Sequence, residues 1–211
     1  MNFSGRTRVK ICGITSVEMA LHAVDIGADA IGLVFYPPSP RHLELETATK
    51  IVKALPAFVT ATGLFVNEDQ QTVSDIIKYT GINLLQFHGK ECPDYCMSFD
   101  FPYIKAISMK DGIDLFEEKQ RYQNARSLLL DTYRPGVPGG TGEAFNWDRV
   151  PVELAGDIIL AGGLTADNVS DAIRQVRPYA VDVSGGVESA KGIKDPEKMT
   201  QFMRGVRSAD Q

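Results

Sequence analysis

Histidine and cysteine are scarce in this chain, with three of each among 211 residues, and there is a single tryptophan. Three histidines without ligand spacing supply no zinc site, so no metal is expected. An odd, low cysteine count does not build a disulfide scaffold and fits a reducing compartment, so the expected location is the cytoplasm. Cys92 and Cys96 fall four apart in an expected helix and read as ordinary buried or partly buried thiols. Positive charge is also short, with 22 Lys and Arg against 27 Asp and Glu and a net charge of -5. That balance argues against nucleic acid or an anionic membrane as the main partner. No apolar run reaches membrane length, and the start Met1-Asn2-Phe3-Ser4-Gly5-Arg6 has no apolar segment resembling a signal peptide.

What the chain does have is apolar content, 44% of residues, enough for one substantial core in a single domain. It is arranged as short strands alternating with helices. Strands are expected at Val9–Cys12, Asp29–Phe35, Phe58–Phe65, Asn83–Phe87, Tyr103–Ile107 and Ser127–Asp131, and in the apolar runs that stop at the glycine pairs within 158–164 and 180–187. Helices are expected at Ser16–Ile26, Glu44–Leu55, Gln70–Tyr79, Tyr95–Phe99 and Leu115–Asn124, with helix-like sequence after Leu164 and after Asp195. Apolar strands separated by helices imply an α/β fold with a parallel sheet covered on both faces. An open doubly wound sheet is possible. Eight evenly spaced units in so short a chain suit a closed (β/α)8 TIM barrel better, with function at the C-terminal strand ends.

Two strand ends carry glycine pairs, Ala161-Gly162-Gly163-Leu164 and Ser184-Gly185-Gly186-Val187. Glycines there permit sharp turns and present bare N–H groups, which side by side would cradle a phosphate without a lysine. Either pair alone reads equally as a tight strand–helix turn; their repetition one unit apart favours phosphate.

Side-chain alternation then selects what faces the barrel mouth. Lys10 and Cys12 share a face, and a charged Lys10 does not belong against helices, so both should point inward. Cys12 is either a small buried hydrophobe or a mouth thiol; its place at a strand end before Gly13 favours the second. Arg41 closes the loop Tyr36-Pro37-Pro38-Ser39-Pro40-Arg41 and is suited to gripping a carboxylate, although a solvated surface arginine would look the same. Gln86 and His88 share a face at the end of strand four, His88 being an acid–base group or a structural histidine at a turn. Asp131 ends an apolar run where a carboxylate is costly to desolvate unless used or paired. The loop that follows, Thr132 to Gly142, holds four glycines including Gly140 and reads as a lid. Strand eight closes against strand one, so Asp182 is expected to meet Lys10 inside the barrel.

Taken together, Val9-Lys10-Ile11-Cys12-Gly13-Ile14-Thr15, Ser39-Pro40-Arg41, Gly63-Leu64-Phe65-Val66-Asn67, Gln86-Phe87-His88-Gly89, Asp131 after three leucines, the Pro138-Gly139-Gly140-Thr141-Gly142 loop and the two glycine-pair ends resemble phosphoribosylanthranilate isomerases. The resemblance runs from about Val9 to Met203 and points to the stand-alone form. It implies an Amadori rearrangement in tryptophan biosynthesis, with Asp131 as general acid and Cys12 as general base. It also implies no cofactor, because the substrate's own nitrogen serves as the electron sink. Arg41 would hold the anthranilate carboxylate. Gly162, Gly163, Ser184, Gly185 and Gly186 would hold the phosphate, with Gln86, His88, Gly140 and Asp182 also at the substrate.

An unperturbed aspartate titrates near 3.9 and a thiol near 8.5, so these roles require both groups to shift toward neutrality. A dry site beside a phosphate dianion would favour protonated Asp131, and Lys10 would favour the Cys12 thiolate. The expected partner is a small sugar phosphate, and the expected state a monomer, with a homodimer as alternative. Two rivals stay open. Another sugar-phosphate barrel enzyme, an epimerase or aldolase, would need metal ligands or a Schiff-base lysine, for which Lys105 is the tempting position. A non-catalytic sugar-phosphate sensor would explain the cradle but not the acid and the thiol.

Overall fold

The computed structural model describes residues 5–132 and 145–211. Eight parallel strands close into a barrel: β1 (Arg8–Cys12), β2 (Ala30–Val34), β3 (Thr60–Phe65), β4 (Leu84–Phe87), β5 (Tyr103–Ser108), β6 (Leu128–Asp131), β7 (Ile158–Leu160) and β8 (Ala180–Val183). Each pairs with the next, and β8 returns to β1 in a register that sets Lys10 opposite Asp182. The (β/α)8 barrel is therefore the fold, and the open sheet is excluded.

Helices α1 (Val17–Asp25), α2 (Leu45–Ala54), α3 (Gln70–Thr80), α4 (Pro93–Met97), α5 (Leu115–Arg121), α6 (Val152–Ala155), α7 (Val169–Val176) and α8 (Pro196–Ala209) follow the strands in turn. Their starts are written locally. Ser16 accepts the N–H of Met19 to cap α1, Asp69 caps α3, and Asp195 caps α8 ahead of Pro196 in its first turn.

Strand parity separates two cores. Outward residues such as Ile11, Leu33, Phe65, Phe87, Leu130 and Val181 pack with Phe202, Met199 and other helix residues. Each such side chain, once buried, contributes about 1.5–3 kcal/mol. Inward residues form a smaller plug of Ile104, Ala106, Leu129, Ile159, Ala161 and Ala180. Above it Cys12, Val34 and Leu64 make an apolar patch at the mouth.

Several expected boundaries move, each for a physical reason. β3 starts at Thr60 rather than Phe58, because Phe58 sits at φ +70 and is fully exposed. α4 begins at Pro93, two residues before the expected Tyr95, since proline is favoured in a first turn. Cys92 precedes it and is exposed; only Cys96 of that pair is buried. α5 ends at Arg121, short of Asn124. The helix after the first glycine pair starts only at Val169, with Asn168 spent on the turn: its side chain accepts from Thr165 N–H and donates to Gly163 O. After β8 the chain makes a 3-10 turn at Gly185–Val187 and then a two-stranded hairpin, β9 (Glu188–Ala190) and β10 (Ile193–Lys194), that strand and helix periodicity did not anticipate.

Candidate active site

The C-terminal strand ends surround a cavity of about 400 Å³. Its lining includes Cys12, Arg41, Gln86, His88, Asp131, Gly162, Gly163, Asp182, Ser184, Gly185 and Gly186. Of the residues expected at the site, Gly140 and most of its glycine-rich loop lie outside the described residues. Around the rim the order is β4 with Gln86 and His88, β6 with Asp131, the two glycine turns after β7 and β8, then Cys12 on β1 and Arg41 beyond β2. Both glycine turns thus lie on the arc between the carboxylate and the thiol.

The glycine pairs touch. A Cβ on Gly186 would overlap the carbonyl oxygen of Leu164, so the two turns pack backbone to backbone. Gly162 and Gly163 take φ +79 and +66, a region that side chains disfavour. A Cβ on Gly162 would also come 2.8 Å from Asp131 Oδ1, so that glycine leaves room for the carboxylate as well as making the turn.

Asp131 is 6% exposed. Its Oδ1 accepts the N–H of Thr132 at 2.8 Å and its Oδ2 lies 3.0 Å from His88 Nε2. His88 Nδ1 in turn lies 2.9 Å from Gln86 Nε2. With the amide donating to Nδ1, the neutral imidazole carries its proton on Nε2 and donates to Asp131. In this arrangement Gln86 Oε1 is buried and has no partner among the described residues.

Cys12 is 4% exposed and stands above the inward-facing Lys10. Lys10 Nζ donates to Asp182 Oδ1 at 2.9 Å, so the expected pair inside the barrel exists. The electrostatics at the sulfur differ from expectation. Burial pushes the Cys12 thiol above its ordinary value and outweighs the opposing charges of Lys10 and Lys194. Lys10 itself is held above its ordinary value, burial opposing but Asp182 and Cys12 prevailing. Gly32 is the missed partner of this thiol: a Cβ there would fall 2.6 Å from Cys12 Sγ. Strand alternation places Gly32 inward next to Cys12, which is the signal that could have found it.

Arg41 reaches the cavity, but one edge of its guanidinium is occupied. Nε and Nη2 donate to Glu188 at 2.7 and 2.8 Å, leaving the Nη1 edge for a ligand. Sequence reasoning also missed the apolar wall of Val34, Tyr36, Leu64 and Val66 beside it.

Lys105 is not at the mouth. It points out of the barrel, 2% exposed, donating to Glu91 Oε2 at 3.2 Å and to the carbonyls of Phe87, Gly89 and Ala106. That position removes the lysine on which the aldolase alternative depended. Among the described residues no group of three or more His, Cys, Asp or Glu could hold a metal, and no helix is long and apolar enough to cross a membrane.

Residues 9–205 match the family model for N-(5'-phosphoribosyl)anthranilate (PRA) isomerase. The chain belongs to that family, and it is an enzyme. It is 55% identical to the N-(5'-phosphoribosyl)anthranilate isomerase of Nitrosococcus oceani over 97% of this chain and 100% of that one. Its fold is similar to the crystal structure of phosphoribosyl anthranilate isomerase from Thermotoga maritima, with a TM-score of 0.84 and 39% identity, covering 96% of this chain and 99% of that one. It is also similar to a phosphoribosyl anthranilate isomerase solved in complex with reduced 1-(o-carboxyphenylamino)-1-deoxyribulose 5-phosphate, at TM-score 0.78 and 38% identity, with the same coverage. Family membership and the rim order together turn the cavity into a candidate isomerase site.

Proposed function

We propose that the chain rearranges N-(5-phosphoribosyl)anthranilate to 1-(2-carboxyphenylamino)-1-deoxyribulose 5-phosphate, the Amadori step of tryptophan biosynthesis. The observation that carries this reading is the gathering of the Asp131 carboxyl, the Cys12 thiol and two abutting glycine turns in a single cavity of a chain from this family.

In this reading the phosphate rests on backbone N–H groups around Gly163, Gly185 and Gly186, with Gly162 and Ser184 shaping the turns. The anthranilate ring lies on Val34, Tyr36, Leu64 and Val66, its carboxylate on the free edge of Arg41. Anchoring both ends holds the ribose between Asp131 and Cys12, which converts binding into orientation. Asp131 then protonates the ring oxygen, and the ring opens to a protonated imine. Cys12 removes the C2 proton, the C–H electron pair forming the C1–C2 double bond as the substrate nitrogen regains its own pair. The resulting enolamine tautomerises to the ketone by protonation at C1 and loss of the hydroxyl proton.

Asp131 must begin with a proton for this sequence, and the hydrogen-bond chain offers a way to hold one. Turning the Gln86 amide over lets its Oε1 accept from His88 Nδ1–H. Nε2 then accepts from a protonated Asp131 instead of donating to a carboxylate. Gln86 and His88 thereby border the substrate and orient its acid. Lys10 and Asp182 sit beneath the thiol, Asp182 reaching the cavity floor. We propose a monomer in the cytoplasm as the working form; among solved neighbours, a dimeric phosphoribosylanthranilate isomerase from Thermotoga maritima has been converted to monomers. No cofactor enters these steps.

The substrate's anthranilate fluorescence provides the test. Addition of the protein should accelerate its loss well beyond the spontaneous rate, and an unchanged rate would refute the assignment. A purely sensing barrel would bind the substrate and leave that decay untouched.

A further inference from the structure

The hairpin after β8 carries a buried carboxylate with no step in the reaction. Glu188 is 8% exposed at the start of β9. Its Oε1 accepts from Arg41 Nε at 2.7 Å and from Lys194 Nζ at 2.8 Å. Its Oε2 accepts from Arg41 Nη2 at 2.8 Å and from the N–H of Gly192 at 3.3 Å. Lys194, whose side chain is fully buried, goes on to donate to the carbonyl of Ser184 at 3.0 Å and to its hydroxyl at 3.3 Å. One carboxylate therefore joins the arginine after β2 to the lysine behind the glycine turn after β8.

This arrangement is costly as mere fold support. The charges of Glu188 and Lys194 have been taken out of water and that of Arg41 partly so, and a buried ion pair seldom stabilises more than apolar packing of the same volume. Burial alone would push the Glu188 carboxyl up, yet the hydrogen bonds from Arg41 and Lys194 hold it below its ordinary value, so it stays ionised. Lys194 is drawn below its ordinary value by burial, against the pull of Glu188. The hairpin turn is also pressed against the arginine loop, since a Cβ on Gly192 would overlap the carbonyl oxygen of Pro40. Every contact acts on the spacing between the loop of Arg41 and the turn of Ser184.

We propose that Glu188 and Lys194 are positioning residues that set the distance between the two anion-holding ends of the site, matching it to a substrate with a carboxylate at one end and a phosphate at the other. The proposal rests on the reading that Arg41 takes the carboxylate and the glycine turns the phosphate. A ligand gripped at both ends gains from its second contact only if the spacing is right, because that contact is made at an effective concentration set by geometry. Loosening the spacing should weaken a two-ended ligand and spare each one-ended ligand.

Two charge-conserving variants test this, Glu188→Asp, which is one methylene short, and Lys194→Arg, which is longer and planar. Inorganic phosphate, anthranilate and the reduced product analogue are titrated into wild type and both variants, with thermal unfolding as a check on folding. The analogue should weaken by about tenfold or more while phosphate and anthranilate stay within about twofold, and the loss in kcat/KM should fall mainly on KM. Equal weakening of all three ligands, an unchanged analogue affinity, or unfolding of both variants would overturn the proposal. Failure of the wild-type protein to bind the analogue would overturn the underlying reading as well, which separates the two failures.

Discussion

At the scale of single residues, Asp131 and Cys12 are both inward-facing strand-end groups, but their neighbourhoods differ. Asp131 is held by Thr132 N–H and His88, whereas Cys12 is packed against Val34 and Leu64 over a lysine. Asp131→Asn keeps the shape but delivers no proton, and Cys12→Ser keeps the shape but is too weak a base. Each should lose turnover by about a hundredfold or more while binding the reduced product analogue at near wild-type affinity. Turnover by Cys12→Ser within a few-fold of the parent would make the thiol a packing residue and His88 the next candidate base. The raised thiol adds a pH dependence. Because burial favours the neutral form, the thiolate is scarce at neutral pH and grows as pH rises through the elevated pKa. In a Cys92→Ser background, which removes the exposed cysteine, iodoacetamide inactivation and kcat/KM should both climb on the alkaline side. A flat profile there would show that the empty-site thiol is not the base.

At the scale of elements, the connections after the strands do more than link them. The turn after β8 abuts the turn after β7 at Gly186 and Leu164, so Gly186→Val must push the two turns apart. Its expected effect is a rise in KM and in the phosphate dissociation constant of about tenfold, with kcat little changed; loss of kcat alone would contradict the cradle. The connection from β4 to α4 is held from behind by Lys105, which binds the carbonyls of Phe87 and Gly89 and the Glu91 carboxylate. Glu91 in turn accepts the N–H groups of Asn67 and Gly89. Lys105→Met leaves that buried carboxylate without its cation, so the chain should lose about 3–5 kcal/mol of stability in chemical denaturation. A value below 1 kcal/mol would mean the network relaxes freely. Borohydride with a sugar phosphate should trap no adduct at Lys105.

At the scale of the whole molecule, closure of the sheet is what creates the site. The described cavity draws Arg41, Asp131, Gly186 and Cys12 from this one chain, so specific activity should not depend on protein concentration. Activity that falls on dilution would instead assign part of the site to a second copy.

Much of this was legible along the chain, because the controlling physics is local. The alternation of apolar strands with capped helices dictated the α/β class, and eight even units favoured the barrel over an open sheet. A period of two decided that Lys10, Cys12, Gln86, Asp131 and Asp182 turn inward, whereas the outward turn of Lys105, offered as a Schiff-base lysine, came only with the structure. The glycine pairs announced sharp turns at two strand ends because only a missing Cβ allows them. Where local signals were weak, at Phe58 and around Tyr95, boundaries slipped by two residues.

The rest depended on which distant segments come together. Arg41 and Glu188 are 147 positions apart, and nothing in the spacing of either predicts that the arginine's fork is already engaged. The direction of the Cys12 shift was equally out of reach. Lys10 two residues away pulls the thiol down, and burial by strands from elsewhere in the barrel, joined by the charge of Asp182, outweighs it. Desolvation and ion pairing belong to the packed neighbourhood, whereas turn geometry and strand parity belong to the backbone itself. The chain therefore determined by itself which groups line the mouth, and the tertiary structure decided their charge states and their partners.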